Sequence, residues 1–196
     1  MKRTQTILTV ILSALVCLGA CAQQPKLITG DLSVLKSETS LNTRFTYDNM
    51  MVGKMNESDY VKKKVEEANK KETGKGDIWL QEWLKDRRAY FEPQFNREFT
   101  KYSNKSIDEK TKYVLIIHTV YTEPGFYALL AGGEKARISL EITVVDSTDS
   151  NQVIAKISLE DVKEGIYKEP GGNYAVAGRV AAAYAKSGKI LGKFIK

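Results

Sequence analysis

Two neighbouring segments of alternating polarity, joined by a polar turn, constrain the fold of this chain more than any other feature. Apolar residues occupy every second position of Ala136–Asp146, and the same alternation returns in Gln152–Val162. A period of two is typical of strands that bury one face and expose the other. The connection DSTDSN consists of residues that favour turns. The sequence therefore predicts an antiparallel hairpin over these two segments.

Three more segments are predicted to be strands. Tyr113–Tyr121, with the sequence YVLIIHTVY, is nearly all apolar and rich in branched residues. This composition is typical of a central strand that is buried on both faces. Thr43–Val52 alternates in polarity, and Asp31–Lys36 shows a shorter alternation of the same kind.

Helical periodicity predicts three helices. Asn56 or Ser58 can cap the first, and the second begins at Asp77 and carries a wide aromatic stripe. The stripe consists of Leu80, Trp83, Leu84, Phe91, Phe95, Phe99 and Tyr102. Pro93 interrupts this helix, so we expect a kink or a close restart there, because proline lacks a backbone donor. The last helix follows the glycine pair at 171–172.

The order of these elements predicts the fold class. Strands and helices are mixed along the chain, and the clearest strand pair is a hairpin. We therefore expect an α/β (α+β) fold, with an antiparallel or mixed sheet of about five strands and helices packed on one face. Residues 31–196 are predicted to form a single α/β domain. Residues 23–30, QQPKLITG, are predicted to be a tether.

The N-terminus has the order of a secretory signal. The basic stretch MKRTQT is followed by an apolar run from Ile7 to Ala20 and then by small residues. The run is shorter than the ~20 apolar residues that a membrane-spanning helix needs. Two cleavage positions are open. Leu18–Cys21 resembles a bacterial lipobox, which would remove residues 1–20 and leave Cys21 to carry lipid, whereas cleavage after Ala22 would remove residues 1–22.

The cysteines favour the lipoprotein. Cys17 and Cys21 are the only two in the sequence, and both lie in the leader. An exported domain could form a disulfide but here has no pair of cysteines to do so. We therefore expect a protein of the bacterial cell envelope that faces the periplasm and is anchored in the outer membrane through Cys21. The alternative is a soluble periplasmic or secreted protein.

Charge limits the classes of partner. The formal net charge is +6, and it falls by two once Lys2 and Arg3 leave with the leader. Basic residues are interleaved with acidic ones, as in KKKVEEANKKE, which is typical of a solvated helix face. We therefore expect protein partners in the envelope, and the membrane through a lipid on Cys21, but no nucleic acid.

The second half of the chain resembles a known group of proteins. The stretch YVLIIHTVYTEPGFYALLAGGEKARISLEITVVDSTDSNQVIAKISLED, followed by a helix, is similar to an uncharacterised family of bacterial envelope lipoproteins. The resemblance covers roughly residues 112–195, with Asp146–Asp149 at the turn of the hairpin. It implies a fold like that of the TolB N-terminal domain and the curli-secretion lipoprotein. It implies no catalytic residue.

Candidate catalytic and metal-binding residues are sparse. His118 is the only histidine and lies in an apolar strand. A structural histidine whose ring is satisfied by hydrogen bonds is therefore favoured over a member of a catalytic triad or a zinc ligand. Asp146 and Asp149 are predicted to form the hairpin turn rather than a calcium loop. The pairs Glu66–Glu67 and Glu160–Asp161 are adjacent acids, which do not face each other as a glycosidase requires. No phosphate-binding loop is present either. Together with the lone histidine and the adjacent acids, this leads us to expect no metal, no cofactor and no enzymatic activity.

Two features could still contact a ligand or partner. Trp79 and Trp83 are four residues apart and could stack on a sugar, although such a pair is more often part of a core. The segment Glu123–Glu134 lies between two strands yet contains four large apolar residues, Phe126, Tyr127, Leu129 and Leu130. They either fold back over the sheet as core or form an exposed lip that meets a partner.

Two functions follow from these observations. The first is a non-enzymatic binding or assembly module, which a closed core without a deep pocket would favour. The second is a periplasmic binder of a small ligand or glycan, or a hydrolase. A cleft lined by Trp or Tyr with two facing carboxyl groups would favour this second function.

Overall fold

The computed structural model describes residues 23–128, 132–165 and 175–196. The strands in these residues are β1 Lys26–Gly30, β2 Ser40–Thr46, β3 Met51–Val52, β4 Met55–Asn56, β5 Ser106–Ile107, β6 Tyr113–Glu123, β7 Phe126–Ala128, β8 Gly132–Glu134, β9 Arg137–Asp146 and β10 Val153–Lys163. The helices are α1 Glu57–Lys71, α2 Lys75–Asp86, α3 Glu92–Ser103 and α4 Val176–Phe194. A π-helical segment, Arg87–Phe91, joins α2 to α3, and a 3₁₀ turn spans Ser33–Leu35.

The main sheet is mixed, which confirms the predicted fold class. Within the described residues it has eight strands, with the path β1-β10-β9-β6-β2-β5 and with β3 and β4 attached beside β6. β6, β9, β10 and β1 pair antiparallel, whereas β2 runs parallel to both β6 and β5. The sheet exceeds the expected five or so strands because β3, β4 and β5 have only two residues each, too few to show a periodic pattern.

The predicted hairpin is present as β9 and β10. Ile142 lies opposite Ile157 and Leu140 opposite Leu159, and all four side chains are buried. At the turn, the Asp146 carboxylate accepts a hydrogen bond from the amide of Thr148 at 2.9 Å. Asp149 accepts one from the amide of Asn151 at 3.0 Å. These bonds confirm that the two aspartates form the turn.

Two predictions for the first residues of the domain were wrong. Lys26–Gly30, expected to be part of a tether, is an edge strand paired with β10, where Lys26 lies opposite Ser158. All five of its residues are exposed, so it lacks the alternation that reveals a strand. Asp31–Lys36, expected to be a strand, instead contains the 3₁₀ turn. The Asp31 side chain accepts a hydrogen bond from the amide of Ser33 at 2.9 Å, and this local bond favours a turn.

The predicted strand Thr43–Val52 is divided into β2 and β3. Both pair with β6 in parallel, with Thr46 opposite His118 and Met51 opposite Tyr121. The residues from 47 to 50 bulge out between the two pairings, and Asn49 there has a positive φ of 56°. Asparagine tolerates this conformation better than most residues do.

One face of the sheet carries the core. The core-facing residues of β6, such as Leu115 and Ile117, are fully buried with those of β9 and β10 beneath α3 and α4. On the opposite face, Ile116 and His118 are only half-buried and Glu141 of β9 is exposed. The prediction of helices on one face is confirmed. The expectation that β6 is buried on both faces was too strong, because polar side chains border it on the second face.

The aromatic stripe continues through Pro93. Trp83, Phe91, Phe95 and Phe99 are buried, and Pro93 lies in the first turn of α3, where a missing amide costs little. The π-helical segment absorbs the change of register between α2 and α3. Leu84, assigned to the stripe, is 49% exposed. Within the residues described here, no helix is long and apolar enough to span a membrane.

Candidate functional site

A cleft of about 640 Å³ lies between the α1–α2 pair and the N-terminus of α4. One wall is formed by α1 and α2. The other is formed by the loop that follows β6 and by the residues around the N-terminus of α4. The residues that line the cleft are Tyr60, Lys64, Trp79, Glu82, Trp83, Lys85, Asp86, Tyr90, Pro124, Gly125, Phe126 and 175–179.

The first wall is an aromatic cluster. The rings of Trp79 and Trp83 stack with their centroids 5.6 Å apart and their planes 13° from parallel. Tyr60 of α1 packs against both, with its ring centroid 5.4 Å from that of Trp83 and 6.1 Å from that of Trp79. A spacing of four residues on a helix places both indoles on one face. Trp79 and Tyr60 are half-buried and so remain available to a ligand.

The turn between α1 and α2 fixes the two helices side by side. The side-chain oxygen of Asn69 accepts hydrogen bonds from the amides of Gly74 and Gly76, at 3.1 and 2.8 Å. A Cβ atom at Gly76 would lie 2.7 Å from the carbonyl oxygen of Val65, so only glycine fits at this approach. The turn TGKG thus sets the distance between Tyr60 and the two tryptophans.

Trp83 anchors the cluster to the domain. It is 6% exposed, and its indole Nε1 donates a hydrogen bond of 2.6 Å to Glu57 Oε1. The same carboxylate forms an ion pair with Arg87, whose guanidinium lies 4.2 Å above the ring of Tyr47. A buried indole needs such a partner for its N–H. The anchored Trp83 in turn supports the more exposed Trp79.

The second wall is held by a buried arginine. Arg179 of α4 is 4% exposed and donates hydrogen bonds to two carbonyl oxygens, with Nε 3.0 Å from Pro124 O and Nη2 2.9 Å from Gly125 O. Gly125 has a φ of +65°, and a Cβ atom there would lie 2.3 Å from the carbonyl oxygen of Glu134. The loop is therefore fixed by backbone contacts, and Phe126 projects at its end with 54% of its surface exposed.

Charged groups surround the aromatic wall. Lys64 lies 5.8 Å from the centroid of the Tyr60 ring, and it forms an ion pair of 3.0 Å with Glu67. Glu82 and Asp86 lie one turn apart on α2. Burial, and secondly the Glu82 carboxylate, raises the pKa of Asp86 to about 6. Burial also raises the pKa of Tyr60, with the negative charge of Glu123 as a second cause. The cleft thus offers flat apolar rings together with carboxylate and ammonium groups at its edges.

Replacing Asp86 with asparagine is expected to flatten the pH dependence of stability. Because the pKa of Asp86 rises from 3.8 to about 6 on folding, the folded protein keeps a proton that the unfolded chain releases within this window. Stability therefore falls as the pH rises from about 4 to about 6. Thermal melts across this range should show the wild type losing stability relative to Asp86→Asn. Two parallel curves would contradict the raised pKa.

The residues predicted to contact a partner or ligand lie partly at the cleft and partly outside the described residues. Phe126 lies on the rim of the cleft and is exposed, as the lip alternative requires. Tyr127 belongs to β7, opposite Gly133 of β8. Leu129, Leu130 and the proposed lipidation residue Cys21 lie outside the described residues.

His118 lies away from the cleft. Its Nε2 atom is 2.8 Å from the carbonyl oxygen of Asp48, in the bulge between β2 and β3. It faces Glu141 across the β6–β9 pairing and is half-buried on the polar face of the sheet. This contact ties the bulge to the central strand, in agreement with the structural role expected for the histidine.

Two of the acids from the predicted pairs form ion pairs. Glu67 pairs with Lys64, and Asp161 lies 3.5 Å from Arg137. In the part of the chain that the structure describes, no group of three His, Cys, Asp or Glu side chains could hold a metal ion.

A second groove, of about 740 Å³, is less suited to a ligand. It is lined by the end of β2 and the bulge, residues 45–50, by Asn56 and the first residues of α1, and by Arg87. Its polar groups already bind one another. Asn56 caps α1 through the amide of Asp59 at 2.9 Å, Ser58 donates to Asn56 at 2.7 Å, and Glu57 pairs with Arg87. Size alone therefore does not make this groove the better candidate.

Sequence reasoning found part of the cleft. The spacing of Trp79 and Trp83 was recognised, and so was the apolar segment containing Phe126. The contributions of Tyr60, Asp86 and Arg179 were missed. The Arg179–Pro124 contact joins positions 55 residues apart. A periodic pattern cannot predict such a contact, because it depends only on neighbouring residues. The isolated arginine within the apolar run of the last helix was the available signal, since a buried arginine needs partners.

Comparison with known proteins gives no relative. No family model, curated protein or solved structure matches this chain. The resemblance of its second half to envelope lipoproteins with a TolB-like fold therefore stays a prediction.

Proposed function

We propose that this protein is a non-enzymatic binding module of the bacterial envelope that holds a glycan in its aromatic cleft. The observation that carries the proposal is the cluster of Tyr60, Trp79 and Trp83 facing the Phe126 loop across about 640 Å³. A preformed concave site with aromatic faces and a few polar groups is the usual form of a small-ligand site.

The chemistry of the two walls favours a sugar. A sugar ring has an apolar face that can lie on an indole, and hydroxyl groups around its edge that need hydrogen-bonding partners. Trp79 offers the flat surface, while Lys64, Glu82 and Asp86 line the same cleft and offer donors and acceptors. Aromatic rings bury a large apolar area for few rotatable bonds, which limits the entropic cost of binding.

The arrangement supports binding rather than hydrolysis. Glycoside hydrolysis needs two carboxyl groups on opposite sides of the scissile bond, roughly 5 to 10 Å apart. Glu82 and Asp86 lie on the same helix, one turn apart, and so approach a ligand from one side. The facing wall of 124–126 and 175–178 contributes no carboxylate to the cleft. Among the described residues that line the cleft, the carboxylates therefore all lie on α2.

The N-terminal leader supports an envelope location. Its basic, apolar and small-residue segments are those of an exported protein, and Cys21 follows a lipobox-like sequence. We propose a lipoprotein anchored in the outer membrane and facing the periplasm. The domain would then meet the glycans of the cell wall.

Replacing Trp79 with alanine is expected to weaken glycan binding at least tenfold, with little effect on folding. The substitution removes the ring on which the sugar would stack. Folding should be little affected, because Trp79 is only half-buried and Trp83 keeps its hydrogen bond to Glu57. Isothermal titration with a soluble peptidoglycan disaccharide should show at least tenfold weaker binding, which corresponds to about 1.4 kcal/mol. Ile78→Ala is the matched control, since Ile78 is the preceding residue, is 58% exposed and lies outside the cleft lining. Equal binding by both variants would overturn the proposal.

A protein partner is a second candidate, because Phe126 is 54% exposed on the rim. Aromatic side chains at such positions often anchor a protein interface. If the loop is a lip that meets a partner, Phe126→Ser should remove that partner from material captured with the protein, without lowering the melting temperature. A large drop in melting temperature would instead show that Phe126 packs as core.

A further inference from the structure

A strip of lysines runs along the second half of α4. Lys186, Lys189 and Lys193 are spaced by three and four residues, which places them on one face of the helix, and Lys196 follows at the end of the chain. From residue 170 to 196 the sequence contains five basic residues and no acidic one. This segment departs from the interleaved charges of the rest of the chain. The strip was not predicted from the sequence.

The same strip continues onto α3. The ammonium groups of Lys101, Lys189 and Lys193 lie 5.4, 4.9 and 5.4 Å from the centroid of the Tyr102 ring. Three positive charges thus gather around one ring. The two helices run side by side in the same direction, since Gly188 contacts Phe95 and Gly192 contacts Phe99. Their C-terminal ends therefore present lysines together.

Two further lysines lie near the first lysine of the strip, one in β10 and one in the connection before β9. Burial lowers the pKa of Lys186, and the positive charges of Lys135, Lys163 and Lys189 add to this effect. Lys163 lies 3.9 Å from Asp161. Across residues 23–128, 132–165 and 175–196, no ion pair to a carboxylate compensates Lys101, Lys135, Lys186, Lys189 or Lys193. The strip and its neighbours therefore carry a concentrated positive charge.

The chain enters β1 from the side of β10 on which Lys163 lies. β1 runs antiparallel to β10, with Lys26 opposite Ser158 and Thr29 opposite Lys156, so β1 begins toward the Lys163 end of β10. Four residues lie between Cys21 and Lys26, so five residue steps join them. At about 3.5 Å for each extended residue, a lipid on Cys21 would keep this end within roughly 17 Å of the membrane.

We propose that the lysine strip, Lys101, Lys186, Lys189 and Lys193, docks the domain onto anionic phospholipid headgroups of the membrane that holds its anchor. The strip fits a flat charged surface better than a small anion, because its charges are spread along a helix and are not gathered in a pocket. The cleft remains a separate site, since Arg179 lies two helical turns before Lys186. The inference rests on the proposed envelope location and does not depend on glycan binding.

Vesicle binding of the exported protein tests the proposal. Cys21→Ser removes the acyl chains, so that only the folded domain contributes. Sedimentation with vesicles of equal parts phosphatidylglycerol and phosphatidylcholine is expected to exceed that with phosphatidylcholine alone, and to weaken with added salt. The triple change Lys186→Gln, Lys189→Gln and Lys193→Gln should weaken binding on the order of 100-fold, from about fivefold for each lysine near an anionic surface.

A matched variant separates the strip from net charge. Lys62→Gln, Lys70→Gln and Lys71→Gln remove the same charge from the exposed face of α1. This control should bind anionic vesicles nearly as well as the parent protein. Equal losses in both triple variants, equal binding to neutral and anionic vesicles, or tighter binding to a soluble anionic polysaccharide than to vesicles would each overturn the proposal. Titration of the disaccharide into the same proteins reports separately on the cleft, so failure of one site leaves the other tested on its own.

Discussion

Replacing Gly188 with alanine is expected to destabilise the protein by about 3 kcal/mol, at the upper end of the usual cost of overpacking. A Cβ atom at this position would lie 2.2 Å from the carbonyl oxygen of Phe95 and 2.9 Å from its carbonyl carbon. Both obstacles are backbone atoms of α3, so no side-chain rotation relieves them. α3 and α4 would have to move apart and loosen the core between them. Chemical denaturation followed by circular dichroism would measure the loss.

Gly165→Ala, at a glycine outside the helices, is the control for the added methyl group alone. A Cβ atom at Gly165 meets nothing within 4 Å, so the added methyl group has room. Alanine normally stabilises a helix by about 1 kcal/mol relative to glycine, so helix propensity alone predicts a gain for Gly188→Ala. The sign of the effect thus decides between propensity and close packing. A Gly188→Ala protein as stable as the wild type would show that the two helices are farther apart than described.

Replacing Phe95 with alanine is expected to cost about 3–5 kcal/mol. Phe95 is fully buried in the middle of the aromatic stripe. Its ring meets Phe45 of β2 edge-on at 5.5 Å and stacks on Phe99 at 6.1 Å. The substitution leaves a cavity where sheet and helix meet, and the surrounding side chains can fill it only in part. The free energy of unfolding from denaturant titration is the quantity to measure.

Leu84→Ala provides the comparison for Phe95→Ala. Leu84 belongs to the same predicted stripe but is 49% exposed, so its truncation should cost less than about 1 kcal/mol. Similar losses at both positions would contradict the placement of the stripe. The pair therefore tests which side of the α2–α3 segment faces the sheet.

Long periodic segments were the part of the fold that the sequence could predict. The alternation in β9 and β10 reflects one buried and one polar face. The turn residues at Asp146 reflect a local hydrogen bond. Both are properties of neighbouring residues. Lys26–Gly30 has no buried residue, so its pairing with β10 leaves no trace in its polarity. The 3₁₀ turn at Ser33–Leu35 was missed because Leu32 and Val34 alternate with polar residues as in a short strand.

The candidate site depends on contacts that no local pattern encodes. Trp79 and Trp83 indicated an aromatic surface, but the sequence could not say whether that surface was core or cleft. The answer depends on the loop at Pro124–Phe126, which Arg179 holds in place from a distant helix. The lysine strip was overlooked for a different reason. Composition averages charge over the whole chain and so hides the run of lysines on α4, and the contribution of Lys101 appears only when α3 lies beside α4.

Fluorescence of the tryptophans tests the central claim most directly. The protein contains only two tryptophans, and both line the cleft. Trp83→Phe leaves Trp79 as the single reporter at the proposed sugar-stacking position. Titration with the peptidoglycan disaccharide should change its emission in a saturable manner, with the same dissociation constant that calorimetry gives for this variant. Binding by calorimetry without any change in Trp79 emission would place the ligand elsewhere and contradict the account.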